Sequence, residues 1–298
     1  MTQHVLPVVF TLIVWWVSTG VILYLDNLPR RTYRTSMTAA TVVLALALYG
    51  VFATSADATV GGAYGAFTCS VLVWGWVEMS FLMGIITGPR EAPCPPGAKG
   101  WQRAGYALQA IVYHEFALIA GGVAVLLLTM GGENQVAVWT YAILWVMRQS
   151  AKLNVFLGVR NLSEEFLPPH LRYLQTYFRR APMNALFPVS VIAGTAAAWW
   201  SWTQALAPSA SAFDATALTF AATLVTLGVL EHWFLVLPLP TSSLWNVYLR
   251  SRAAPSAPGP RLAWLYRWPC MRCCSCRPPG ISPRAGRTGR HLSTLSFN

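Results

Sequence analysis

Seven ionisable side chains fall inside apolar stretches of this sequence: Glu78, His114, Glu115, Arg148, Lys152, Glu231 and His232. A charge at membrane depth costs roughly 3 kcal/mol on insertion scales, so such groups face a partner or a cavity and mark a site by default. Two chemistries are open to this set. Neutral imidazole is an axial ligand for a tetrapyrrole metal and the commonest metal ligand generally. That makes His114 and His232 the candidate cofactor-binding residues. Glu78, Glu115 and Glu231 are candidates to neutralise Arg148 and Lys152, which lie four residues apart and so share one helix face. Trp145 and Phe156 extend that face. A buried ion cluster of this kind fixes helix register at a net cost or a small gain in stability. His114-Glu115 and Glu231-His232, with Glu78, also offer imidazole and carboxylate ligands to a metal between helices. Neighbours on a helix point about 100° apart, so each pair aims only one member at a common centre. The sequence leaves the identity of any metal unknown.

Several enzyme classes are excluded by residue type. His114-Glu115-Phe116-Ala117-Leu118 lacks the second histidine of a zinc metalloprotease helix. Five histidines are too few for a membrane desaturase with two irons. The only lysines are Lys99 and Lys152, neither in the last apolar run, so no retinal Schiff base forms there. Asp26, Asp57 and Asp214 are the only aspartates and cannot build an Asp-rich prenyltransferase motif. No catalytic residue is identified. A metal-dependent membrane oxidoreductase stays open as an alternative, as does a small-molecule transporter, although no internal repeat supports the latter.

The elements that must position these residues are membrane helices. Of 298 residues, 55% are hydrophobic and 10% charged, against about 25% charged in soluble domains. The 14 Trp and 11 Tyr suit helix ends at membrane interfaces. Runs of about 20 apolar residues predict an all-α polytopic membrane protein of about seven spans. They cover approximately 5–25, 37–54, 63–87, 104–130, 136–159, 183–206 and 215–239. Measured along these helices at about 1.5 Å per residue, the seven polar groups lie roughly 9–17 Å from one end, in a single layer.

Arg30, Arg31, Arg34, Arg90, Lys99, Arg103, Arg160, Arg172, Arg179 and Arg180 fall in alternate connections, whereas those around Asp57, Glu133 and Asp214 carry no Lys or Arg. By the positive-inside rule the N-terminus lies outside and the C-terminus in the cytoplasm. The net charge of +11 points to anionic lipid rather than nucleic acid.

A seven-helix domain over 1–252 thus carries a cytoplasmic loop at 160–182 and a basic, disordered tail at 253–298. In the loop, Asn161 and Glu164 are spaced as a capping box. Leu171, Leu174 and Phe178 predict a short helix lying in the interface. Asn161, Glu164, Glu165, His170 and Arg172 are the candidate residues for a partner surface. Of six cysteines, Cys270, Cys273, Cys274 and Cys276 crowd the tail, too compactly for a zinc module; free or palmitoylated thiols are expected. A membrane-surface contact is expected at 262–266.

Several runs resemble the PuhE family of purple photosynthetic bacteria. They are WWVSTGVILYLDNLPRRTYR at 15–34, ATSADATVGGAYGAFT at 53–68, VWGWVEMSFLMG at 73–84, PCPPGAKGWQR at 93–103, RQSAKLNVFLGVRNLSEEFLPPHLRYLQTYFRRAPMNALFPVSV at 148–191 and LEHWFLVLPLP at 230–240. The resemblance covers about residues 5–250; the tail departs from it. It implies a multi-span protein of the inner, intracytoplasmic membrane, tied to photosynthesis genes. Its implied role is in assembling reaction-centre and light-harvesting complexes or in modulating bacteriochlorophyll supply, with components of that assembly as partners. It supplies no catalytic residues. It favours bacteriochlorophyll or a precursor as a ligand of His114 or His232, while the cofactor itself is left unknown.

Overall fold

The computed structural model describes residues 2–162, 164 and 167–237. Glu165, the 252/253 boundary, the contact at 262–266 and the four tail cysteines lie outside them. The described residues form seven α-helices: α1 Thr2–Asp26, α2 Tyr33–Thr54, α3 Val60–Leu82, α4 Gly100–Leu128, α5 Val136–Leu157, α6 Leu186–Ala205 and α7 Ala212–Val236. Among them there is no strand, only one isolated backbone bridge between Val159 and Arg180. Thr59 opens α3 by accepting a hydrogen bond from the Gly62 N–H at 3.1 Å. Ser211 does the same for α7 with the Asp214 N–H at 3.1 Å, as small hydroxyl residues do at helix starts.

The third apolar run, expected to Thr87, leaves the helix at Leu82. Gly84 takes φ +73°, the left-handed conformation that commonly terminates helices. The Ile85 and Ile86 N–H groups turn back to the Ser80 carbonyl at 2.9 and 3.2 Å.

Five helices, α1–α4 and α7, are long and apolar enough to cross a membrane by length and composition. The 22 residues of α5 and 20 of α6 reach roughly 33 and 30 Å at 1.5 Å per residue, about the thickness of the hydrocarbon core. Arg148, Gln149, Lys152 and Asn154 dilute α5.

The helices divide into inner and outer ones. Over their most apolar stretch α3 and α7 are 56% and 50% buried, against 17% for α1, α2 and α4. Accordingly α3 packs on α1, α2, α4, α5 and α7. The core gathers Val51, Ala63, Phe67, Val125, Tyr141 and Phe220, with Phe67 and Phe220 stacked at 4.4 Å.

The basic connections meet at one end of the bundle. There Arg103 lies 4.1 Å over the Phe156 ring and donates to the Tyr177 carbonyl at 2.9 Å. Arg90 Nε donates to the Tyr177 hydroxyl at 3.0 Å. At the other end Asn134 ties two of the acidic connections together, donating from its backbone to the Ser55 carbonyl at 2.9 Å and from its amide to the Asp57 carbonyl at 3.0 Å.

Candidate polar site between the helices

α5 is the hub of the polar layer. Arg148 donates to Glu78 Oε2 on α3 at 3.1 Å. One turn on, Lys152 donates to Glu115 Oε1 on α4 at 2.8 Å, and Gln149 donates to the other Glu115 oxygen. The cations four residues apart therefore clasp two different helices. The expected third carboxylate differs: Glu231 forms no ion pair among the described residues. Its Oε1 accepts from the Trp15 indole at 3.0 Å, and it stands on an exposed flank within the field of Arg148. Position 231 faces away from the α3–α5 interface because its neighbour His232 takes the inward direction, about 100° round the helix.

His232 is 1% exposed and both its nitrogens are committed. Nδ1 is 2.7 Å from the Gly228 carbonyl, which can only accept, so Nδ1 carries the proton. Nε2, 2.9 Å from Ser150 Oγ, is then the acceptor. Ser150 and Ser190 share a hydrogen bond at 2.9 Å, and the Asn154 amide donates to Ser190 Oγ at 3.0 Å. The Asn184 amide donates to Asn154 Oδ1 at 3.1 Å, while its own oxygen receives the first N–H groups of α6, from Leu186 at 2.8 Å and Phe187 at 3.1 Å. This uncharged chain fastens α5, α6 and α7. A survey of ionisable groups alone misses Ser150, Asn154, Ser190 and Asn184. The available signal was the four-residue spacing of Ser150 and Asn154 in an apolar helix.

His114 is fully buried, with its ring 4.4 Å from that of Phe81 at a 33° tilt. The loop after α3 presses on the same turn: the His114 N–H donates to the Thr87 carbonyl at 3.0 Å. Gly88 permits this, since a Cβ there would meet the Gln109 carbonyl oxygen at 2.2 Å. Neither imidazole nitrogen of His114, nor Glu78 Oε1, has a hydrogen-bond partner among the described residues. The free nitrogens suit an axial ligand, but a macrocycle needs an open face, and the ring has none. His232 has no free nitrogen. The residues as folded do not fit a tetrapyrrole. Nor do the two His–Glu pairs converge: His114 turns to Phe81, Glu115 to Lys152, Glu231 to Trp15 and His232 to Ser150. No group of three or more His, Cys, Asp or Glu among the described residues is placed to hold a metal.

The loop after α5 departs from expectation. Asn161 reaches across to another helix. Its backbone donates to the Leu235 carbonyl at 2.9 Å and its amide to Phe234 at 2.7 Å and to Leu237, so it satisfies the last carbonyls of α7. Glu164 pairs with Arg180 at 3.1 Å. The expected interfacial α-helix is a 3-10 helix, Pro169–Tyr177, burying Leu171, Leu174 and Tyr177 at its three-residue period. These residues dock on Phe81 and Ala110. His170 turns inward, its Nε2 2.9 Å from the Leu82 carbonyl. Burial, and behind it the Arg30 charge, holds the imidazole below its usual range. Arg172 alone among the described candidates of this loop is simply exposed.

Fold and layer together define an all-helical, multi-pass membrane protein whose interior charges clasp its helices. Residues 1–256 match the family described as Protein of unknown function (DUF3623), and the chain belongs to that family. A relative from Rhodobacter capsulatus, described as an uncharacterized 30.4 kDa protein in the puhA 5′ region, is 38% identical over 250 residues, 83% of this chain and 91% of the relative. No solved structure matches the chain.

Proposed function

We propose that this protein is an inner-membrane factor for assembly of the photosynthetic apparatus, serving reaction-centre and light-harvesting complexes or the supply of bacteriochlorophyll to them. The observation that carries the reading is the position of the Rhodobacter capsulatus relative in the puhA 5′ region, a name in keeping with the PuhE family that residues 5–250 resemble. Sidedness supports it in general terms: with the basic end in the cytoplasm, the 160–182 loop faces newly made subunits. The polar layer supports a protein-binding role over a catalytic one. Its ion pairs hold helices, while Arg148, 45% exposed at the side chain, and Glu231 present polar groups on a flank where a partner helix can pair with them.

The test is deletion of the gene in a purple photosynthetic bacterium, with complementation by this chain and by a double variant, Arg148→Leu with Glu231→Leu. Reaction-centre and light-harvesting absorbance of isolated membranes should fall on deletion, return with the parent chain and stay low with the variant. Unchanged absorbance in the deletion strain would refute the reading.

A further inference from the structure

A cavity of about 300 Å³ opens at the basic end, between the α1–α2 connection, the end of α3 and the 3-10 helix. Its polar lining includes Arg30, Glu91, His170 and Tyr173; Met83 and Leu171 form an apolar floor, at 4% and 2% exposure. Its volume is at the small end of ligand sites. We infer that this cavity binds a zwitterionic ammonium–phosphate group, either the headgroup of phosphatidylethanolamine or free phosphoethanolamine.

Charge is the first argument. Arg30 and Glu91 are both exposed, and the three ion pairs among the described residues include neither. His170 lines the same cavity, within the field of each. A purely anionic ligand meets Glu91 and a purely cationic one meets Arg30; a dipolar ligand satisfies both, with charge-assisted hydrogen bonds at each end.

Shape is the second. Gly84 has no side chain where a Cβ would lie 2.8 Å from the His170 ring, so the histidine can fold against the turn. The ring is held there by the Leu82 carbonyl and by edge contact with Tyr33 at 6.3 Å. The walls are thus preformed on three separate segments. Thr87 Oγ1 reaches Glu91 Oε1 at 3.4 Å, orienting the carboxylate.

Position is the third. α1 and α3 end at this level, where apolar helix gives way to polar loop. The space admits a headgroup but not acyl chains, and the Met83–Leu171 floor suits the glycerol stem. The inference does not depend on the assembly reading.

The test is native mass spectrometry of the delipidated full-length protein with phosphatidylethanolamine, phosphatidylglycerol and free phosphoethanolamine in separate arms. Phosphatidylethanolamine should be retained at one per chain, at least tenfold in preference to phosphatidylglycerol. Arg30→Gln and Glu91→Gln should each lower retention about tenfold while the protein elutes unchanged on size exclusion. Binding of free phosphoethanolamine as tight as that of the lipid identifies a soluble ligand; binding of the lipid alone identifies a bilayer component; both support the site. Equal retention of phosphatidylglycerol, stronger retention by Glu91→Gln, or no effect of either variant would overturn it.

Discussion

At the scale of single residues, the layer rests on complementary choices at Arg148, Lys152, Glu78 and Glu115. Removing one partner leaves the other charged and poorly solvated, which in fully buried pairs costs ~3–5 kcal/mol. The Lys152–Glu115 side chains keep 23% and 17% of their exposure, so Glu115→Ala should destabilise by about 2 kcal/mol, while Glu115→Ala with Lys152→Met should recover most of it. Denaturation of the purified protein in micelles measures both. His170 gives a pH dependence with a defined sign. Its folded value lies below the unfolded 6.5, so the unfolded chain binds the proton first, and stability is intact above pH 6.5 and declines as pH falls below it. Thermal midpoints between pH 7.5 and 5 should show that slope in the parent and a shallower one in His170→Gln. These charged residues were legible in the sequence because charge in apolar runs is rare. The partners of Glu231 and His232 were not, because indole and hydroxyl groups are common in such runs and carry no signal until the helices are docked.

At the scale of elements, the helices follow from apolar length, and their ends from Thr59, Ser211 and Gly84. The 3-10 helix at 169–177 is the instructive departure. Leu171, Leu174 and Phe178 fit a 3.6-residue period, yet Tyr177 is the residue buried with the two leucines. Periods of 3.0 and 3.6 cannot be separated over nine residues, and only the Phe81–Ala110 surface decides between them. Docking makes a prediction. Leu171→Ala should cost about 2–5 kcal/mol locally, as for other buried leucines, and because the segment is short the loss should appear as local opening. Limited proteolysis of the folded protein should cut within 160–182 faster in the variant, with global unfolding less affected. Asn161 illustrates a second limit of local reading: its helix-start spacing is real, but its hydrogen bonds go to a helix more than 70 residues later in the chain.

For the whole molecule, sidedness is the property most open to direct measurement. With basic connections inside, a lone cysteine introduced at Lys99 should react with a membrane-impermeant maleimide only in inverted vesicles, and one at Asp57 only in intact spheroplasts. The sequence carried this asymmetry in its arginines and carried nothing of which helices are inner, since that depends on which side chains meet once the helices dock, as Phe67 of α3 does with Phe220 of α7. Their meeting has a further consequence. α1 is held by α7, through Phe10 against Phe220 at 6.1 Å, His4 to Thr219 at 3.0 Å and Trp15 to Glu231 at 3.0 Å. α1 also packs on α3, through Phe10 against Tyr64 at 4.8 Å, but its contacts with α7 wait until that helix is made. At roughly 5–20 residues per second, that interval is about 10–40 s, during which one flank of the nascent bundle has no neighbour of its own. A chain halted before α7 should be cleared by membrane proteases in pulse-chase labelling, and α7 supplied as a separate polypeptide should rescue it, making α7 a checkpoint on biogenesis.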